Sequence, residues 1–521
     1  MADIRLNPYP FGNPDGAWVQ IHDMTQYFID FDELNGTGGI TWDIGSHQPR
    51  LIIGRKGTGK TIYLRRLQAA AMEDGALYVD KITRGGLSTH AVNKFCELFN
   101  PSELSGIWSK LWFCAVVCSI VSHMKHVIRL REKVSEEMLE HIDSTFARVL
   151  LSTVAPLNPY QAASQIIHQY SARNAMDRYL GNELWAQLEW YLGQNLPNLP
   201  PLYFFLDAVD EEFAESPMHW LHVQKGLFSR IRRFMMNQEI GGRLHIFACI
   251  RDVVFSSILQ GEAVAVYMNN PHIRVLKWDK SSVRYFLEEK LRRLSGDYLM
   301  SGSGGSKSCA AWLGIDTIAD STIEPEQPIA DYLLRHSRLL PRDIVILGNE
   351  LAEEVKRAKG AGHSAVSRDA IVQRVADRAQ FFAREQLMIC SNQVASSMIP
   401  ANAIQNGADA FYRDPAYPAF IADQLRSLLQ SLEYDRVTLD NIITARGIIN
   451  DEIGVGGIDV MSVLWQNGLL GYVPTDRNGA EPNFYTEDDL LQFVLPEHRD
   501  YEYVIHPCLA KYLHLKHSRH Q

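Results

Sequence analysis

At 521 residues, 46% of them apolar and 21% charged, the chain carries enough core for three or four domains. A net charge of −10 excludes a protein that coats nucleic acid over its whole surface and leaves room only for a locally basic face. Seven cysteines without paired spacing argue against a disulfide framework or a zinc module, and read as reduced, buried thiols of a cytoplasmic protein. The opening residues Met1-Ala2-Asp3-Ile4-Arg5 lack signal-peptide character, in keeping with that location. The most apolar uncharged stretch, residues 111–121, is too short to span a bilayer. Trp108, Trp112, Val116 and Ile120 at helical spacing read instead as core, so no membrane partner is expected.

In chain order, Asn7-Pro8-Tyr9-Pro10-Phe11-Gly12 comes first, followed by a helix-like stretch near 24–34. Tyr9 or Phe11 either pins the N-terminus or, as the family resemblance given below implies, touches a nucleotide base. Leu51-Ile52-Ile53 then forms an apolar run expected to be a buried strand. It feeds Gly54-Arg55-Lys56-Gly57-Thr58-Gly59-Lys60-Thr61, which fits G-x-x-x-x-G-K-[ST], a phosphate-binding loop. A helix over 61–70 should follow, with Ile62, Leu64, Leu67 and Ala70 as its apolar members. That order places backbone N–H groups and the positive helix end around phosphates. Lys60 is expected on the β- and γ-phosphates of ATP and the Thr61 hydroxyl on Mg²⁺.

A second strand is expected over 75–80. From about 90 to 200 the chain reads as helices, over 92–99, 108–130, 134–151, 162–180 and 184–192, a long helical insertion in a nucleotide domain. The run Leu202-Tyr203-Phe204-Phe205-Leu206 then reads as a buried parallel strand delivering Asp207 to its C-terminal end, where open α/β sheets bind ligands. Asp207 is expected to hold Mg²⁺ through water, and Asp210 or Glu211 to orient the attacking water. The next strand, over 244–250, ends at Arg251, which either senses the γ-phosphate or pairs with Asp252 or the neighbouring acids. A last strand over 272–276 leads to Asp279, placed to cap a helix over 283–294.

Ser301-Gly302-Ser303-Gly304-Gly305-Ser306 is the clearest flexible segment. Helices over 329–339 and 341–359 follow, with Arg335 and Arg338 near their turn and Arg342 in the first turn of the second. Arg342 is the candidate for a second phosphate sensor. The C-terminal third reads as helices over 367–393, 417–432, 437–449 and 458–466, then strands near 468–473 and 501–507. The helix over 458–466 carries Asp459 and no Lys or Arg. It is poorly equipped to grip a phosphate backbone and better suited to protein contact.

Together these features resemble the prokaryotic STAND-type P-loop ATPases, relatives of the AAA+ and Orc/Cdc6 ATPases. The loop, Phe204-Phe205-Leu206-Asp207-Ala208-Val209-Asp210-Glu211 and the strand ending at Arg251 carry the resemblance. Leu276-Lys277-Trp278-Asp279 and Pro341-Arg342-Asp343 add to it. It implies an α/β fold, with a P-loop NTPase parallel sheet over 1–280 that includes the 90–200 insertion. A helical lid over 281–365 and a C-terminal winged-helix-like domain over 366–521 would complete it. The implied activity is Mg²⁺-dependent hydrolysis of ATP by a regulatory switch that forms homo-oligomers and controls a separate effector protein, as in bacterial signalling or anti-phage defence. Ala208 stands where an AAA+ protein has its catalytic glutamate, and no arginine finger precedes the strand at Ile273. Both departures favour a slow switch over a ring motor. The long insertion also resembles that of KAP ATPases, without their membrane segments. An initiator-like DNA-binding protein and an ATP-bound structural scaffold are the competing readings.

Overall fold

The computed structural model describes residues 9–19, 28–29, 50–73, 78–79, 87–126, 136, 156–198, 201–207, 216–237, 240, 242–259, 264–301, 308–320, 326–397, 416–453, 459–476, 481–486, 489–492 and 494–517. The expected helices near 24–34 and over 134–151, and the glycine-rich stretches 302–306 and 454–457, therefore lie almost wholly outside the described residues.

The chain is mixed α/β. Its central sheet contains β1 (Leu51–Gly54), β2 (Tyr78–Val79), β3 (Leu202–Leu206), β4 (Leu244–Arg251) and β5 (Ile273–Val275). All pairings are parallel, in the order β2-β3-β4-β1-β5. Such a sheet must be covered on both faces, which is why its strands are continuous apolar runs. Alternation then divides them between two cores. Leu51, Ile53, Phe204, Leu206, Ile246 and Ile250 face one core. Ile52, Tyr203, Phe205, Phe247 and Cys249 face the other.

The first core is built by the expected insertion, which does not protrude but forms the layer over this face. Its axis is the helix Pro101–His126, buried without a break from Leu111 to His123. Within it, Pro101–His123 is long and apolar enough to cross a membrane, yet 78% of its most apolar window is buried inside the molecule. It packs against the helix Pro217–Met236 so closely that a Cβ on Gly226 would lie 2.5 Å from the Trp108 Cβ. The Trp112 indole donates to the Val223 carbonyl at 3.0 Å. The single helix expected over 162–180 is two, Pro159–Gln169 and Arg173–Leu180. Between them the chain turns back, and Tyr170 stacks on Tyr179 with ring centroids 4.2 Å apart.

The second core joins the loop helix Lys60–Glu73 to the lid helices Lys280–Arg292, Ile329–His336 and Pro341–Gly360. Asp279 caps the first of these as expected, with reciprocal bonds between Asp279 and Ser282. A two-stranded ribbon, β6 (Thr317–Ile318) with β7 (Gln327–Pro328), closes its edge. The helix Arg368–Ser397 begins in this core, through Ile371, Val375 and Phe382, and ends in a third core, through Ala383, Leu387 and Cys390. The expected boundary at 366 thus falls just before a helix shared by lid and C-terminal domain.

The third core is covered by an antiparallel sheet of β8 (Arg436–Val437), β9 (Leu470–Pro474), β10 (Asn483–Phe484) and β11 (Tyr501–Ile505), ordered β10-β9-β11-β8. Val437, expected to start a helix, pairs with β11 instead, as does Arg436 before it, and the helix starts at Leu439. The helix Val460–Gln466 corrects a second expectation. Val460, Met461, Ser462, Val463, Leu464 and Trp465 are all buried in the domain's own core. Its apolar face is spent on folding and is not a docking surface.

Candidate functional site

The glycine loop leaves β1 at Gly54 and enters its helix at Lys60. Gly57 and Gly59 adopt φ of +97° and +94°, the left-handed region that a side chain disfavours. Gly54 is required for space, since a Cβ there would meet the Thr58 Oγ1 at 2.5 Å. A Cβ on Gly59 would meet nothing within 4 Å, so at that position only the backbone angle demands glycine. The Thr58 hydroxyl closes the turn by donating to the Arg55 carbonyl at 2.9 Å. The Lys60 ammonium folds back to donate to the carbonyls of Gly54 and Arg55, each at 3.0 Å.

Two anchors tie this loop to the lid. The Trp278 indole donates to the Thr58 carbonyl at 3.0 Å, and the Arg342 N–H donates to the Gly57 carbonyl at 3.3 Å. Between loop and lid lies a cavity of about 830 Å³. Residues 56–63 form its floor. Trp278, Phe286, Lys290, Arg342, Val345 and Asn349 form the lid side, and residues 11–16 close one end. Its volume suits a nucleotide-sized ligand. The N-terminal segment is held by Asn349, which accepts from the Phe11 N–H at 2.9 Å and donates to the Gly12 carbonyl at 3.0 Å. Phe11 itself is buried against Trp312 and over Gly348, where a Cβ would lie 2.3 Å from its ring. Phe11 therefore pins the N-terminus, while Tyr9 is exposed at the cavity rim.

A second cavity, of about 240 Å³, lies on the other side of Lys56. Arg55, Lys56, Arg251 and Arg338 line it together with Gln386, Asn467 and Tyr485 from the C-terminal domain. Arg251, at the tip of β4, is buried here, and its N–H donates to the Gln224 side chain at 2.9 Å. The structure thus groups the predicted residues in two sets. Lys56, Gly57, Thr58, Gly59, Lys60, Thr61 and Arg342 surround the larger cavity, and Arg55 and Arg251 the smaller, with Lys56 shared.

Asp207 joins neither lining. Leu206 pairs with Ala248, which pairs with Leu51, so Asp207 stands level with Ile52, about 7 Å below Gly54 along the strands. It is buried, and its carbonyl accepts the Tyr160 hydroxyl at 3.0 Å. Asp210 and Glu211 lie outside the described residues. Among the described residues no cluster of three or more His, Cys, Asp or Glu could hold a metal ion by itself. A Mg²⁺ at this site would come with the phosphates, with Thr61 the hydroxyl on the cavity wall.

The lid arginines divide sharply. Arg338 forms a two-pronged pair with Asp343, at 2.8 Å on both prongs, and both residues are buried. Burial would lower the Arg338 pKa, but the Asp343 carboxylate outweighs it and holds the guanidinium firmly charged. Arg342 faces the cavity, with its side chain 31% exposed.

Sequence reasoning missed Glu385. Its carboxylate lies 3.0 Å from the Lys56 ammonium, 3.6 Å from Arg342 and 3.6 Å from Arg338. Burial would raise the Glu385 pKa, but Lys56, Arg338 and Arg342 together reverse this and hold it below the ordinary carboxylate value. Nothing local singles it out, because Glu385 is one charge among several on a long helix and meets Lys56 across 329 residues of chain. No family model, curated protein or solved structure matches this chain.

Proposed function

We propose that the chain is a P-loop ATPase of the STAND type, binding Mg²⁺-ATP in the larger cavity and hydrolysing it slowly as a regulatory switch. One observation carries the reading. The motif loop, with two glycines at positive φ and Lys60 at the helix start, forms the floor of a cavity of about 830 Å³ roofed by the lid. The N–H groups that open a helix have no intrahelical partner and, with the helix dipole, favour phosphate oxygens. Lys60, now satisfied by two loop carbonyls, would turn to the β- and γ-phosphates. Mg²⁺ would neutralise charge developing on the transferred phosphoryl group. Asp207, at the end of β3, and Asp210 or Glu211 beyond it supply the acids for metal-bound and attacking water in this reading. Arg342 lies at the phosphate end of the cavity and suits a lid sensor.

The C-terminal domain, of winged-helix type in this proposal, serves protein contact rather than DNA. The element that would enter a groove is buried in the domain core, which weighs against the initiator reading. A switch needs an output. We assign that output to homo-oligomerisation and to a separate effector protein. Calorimetry tests the nucleotide reading. Wild-type protein should bind Mg²⁺-ATP saturably, and Lys60→Ala should abolish that binding while keeping the same melting temperature. Unchanged ATP affinity in folded Lys60→Ala would remove the loop from the site.

A further inference from the structure

Among the cations that line the larger cavity, Lys56 comes from the loop and Arg342 from the first turn of the lid helix Pro341–Gly360. They also share one oxygen of Glu385, at 3.0 and 3.6 Å. Glu385 is not on the lid but on the helix Arg368–Ser397, whose later turns build the C-terminal core. The third cation near it, Arg338, is already committed to Asp343, so Lys56 and Arg342 are the partners that Glu385 can lose. We propose that Glu385 is an internal competitor of the nucleotide's terminal phosphate, holding Lys56 and Arg342 for the C-terminal domain until a triphosphate takes them. The inference rests on the nucleotide reading and adds what regulates that same site.

Carboxylate and phosphate seek the same charge-assisted bonds from lysine and arginine. A terminal phosphate brings about two negative charges where Glu385 brings one, so it displaces the carboxylate once it reaches the cavity. The terminal phosphate of a diphosphate is as highly charged, so in this proposal the contact survives a diphosphate because that phosphate stops one unit short of Lys56 and Arg342. The displacement has a route outward. Gln386, the next residue, accepts from Arg338 at 2.7 Å and donates to the Asn467 side-chain oxygen at 2.7 Å, and the Asn467 amide donates to Gln393 at 2.8 Å. A shift of Glu385 therefore loads the bonds between the lid and the segment leading into β9.

The test is calorimetric titration of Mg²⁺-ATP and Mg²⁺-ADP into wild type, Glu385→Gln and Asp320→Asn. Asp320 pairs with Lys511 of the C-terminal helix, a docking contact that touches no loop cation. Glu385→Gln should tighten ATP about five- to tenfold while leaving ADP within about twofold. Asp320→Asn should leave both within about twofold. Glu385→Asp, which keeps the charge and shortens its reach, should fall between wild type and Glu385→Gln, and it serves if Glu385→Gln does not fold. Unchanged or weaker ATP binding in a folded Glu385 variant overturns the competition, as does equal tightening by Asp320→Asn, which would assign the effect to docking in general. If ATP binds and Lys60→Ala abolishes it while the Glu385 variants are silent, only this inference falls. If no variant and no wild-type protein binds ATP, both readings fall.

Discussion

On one face of the parallel sheet, Phe204, Leu206, Ile246 and Ile250 meet a helical layer built around Trp108 and Trp112. On the other, Phe205, Phe247 and Cys249 meet the loop helix and lid, and that side opens into a cavity large enough for a nucleotide. The first face is fixed by close packing, down to a glycine at the helix crossing where a methyl group would collide. The second also has an apolar core behind the loop helix, but at the cavity itself lid and C-terminal helix meet the glycine loop through directional bonds, Trp278 to Thr58, Arg342 to Gly57 and Lys56 to Glu385. Large apolar contacts make a permanent wall, whereas sparse polar contacts make a roof that a ligand can move. Changes to buried side chains on either side should therefore alter stability and leave ligand binding alone, and changes to the side chains that line the cavity should do the reverse.

The largest effect is expected from Trp112→Ala. It removes a fully buried indole together with its hydrogen bond to the Val223 carbonyl, and should destabilise the fold by about 3–5 kcal/mol in urea titrations. ATP affinity of the molecules that remain folded should be unchanged. Asp343→Ala should cost a similar amount, about 3–5 kcal/mol, because it strands the Arg338 guanidinium in the interior. Arg342→Ala, four residues from Arg338, should change stability by less than about 1 kcal/mol, since its ion pair with Glu385 is long and part-exposed. Its effect should appear as lost discrimination between ATP and ADP.

The acid side of the stability profile probes both halves of the molecule. His245 in β4 and His506 after β11 are buried neutral, with pKa values lowered to about 3. Burial is the first cause for each, followed by repulsion from Arg50 for His245 and from Arg338 for His506. A folded pKa below the unfolded value near 6.5 means that the unfolded chain takes up protons first. Stability is therefore fully present above pH 6.5 and falls as the pH drops toward 3, by about 1.4 kcal/mol per unit for each histidine. Urea midpoints between pH 7 and 4.5 check this, and His245→Gln should flatten the slope. The smallest effect is expected at the rim, where Tyr9→Ala should weaken nucleotide binding by less than about 1 kcal/mol.

How much of this was legible in the sequence follows from the range of the forces involved. β1, β3 and β4, the glycine loop and the Asp279 cap are written locally, in apolar runs, special backbone angles and a capping residue three positions from its partner. The pairing of Arg338 with Asp343 was not separated from Arg342, because both arginines read alike until burial distinguishes them. The fit of Phe11 over Gly348, the second cavity and the grip of Glu385 on Lys56 depend on surfaces hundreds of residues apart. Periodicity carries no record of such contacts. The apolar helix Val460–Gln466 was misread for a related reason, since composition shows that a face is sticky but not what already covers it.

If nucleotide phosphates sit on the glycine loop, as proposed, bound ATP must protect the amides of that loop. Hydrogen exchange followed by mass spectrometry, with and without saturating Mg²⁺-ATP, addresses it most directly. Exchange should slow in the peptide covering Gly57 to Ile62, with no change in the buried helix Pro101–His126. ATP binding that leaves exchange in the loop peptide unaltered, or that protects a different segment in its place, would contradict it.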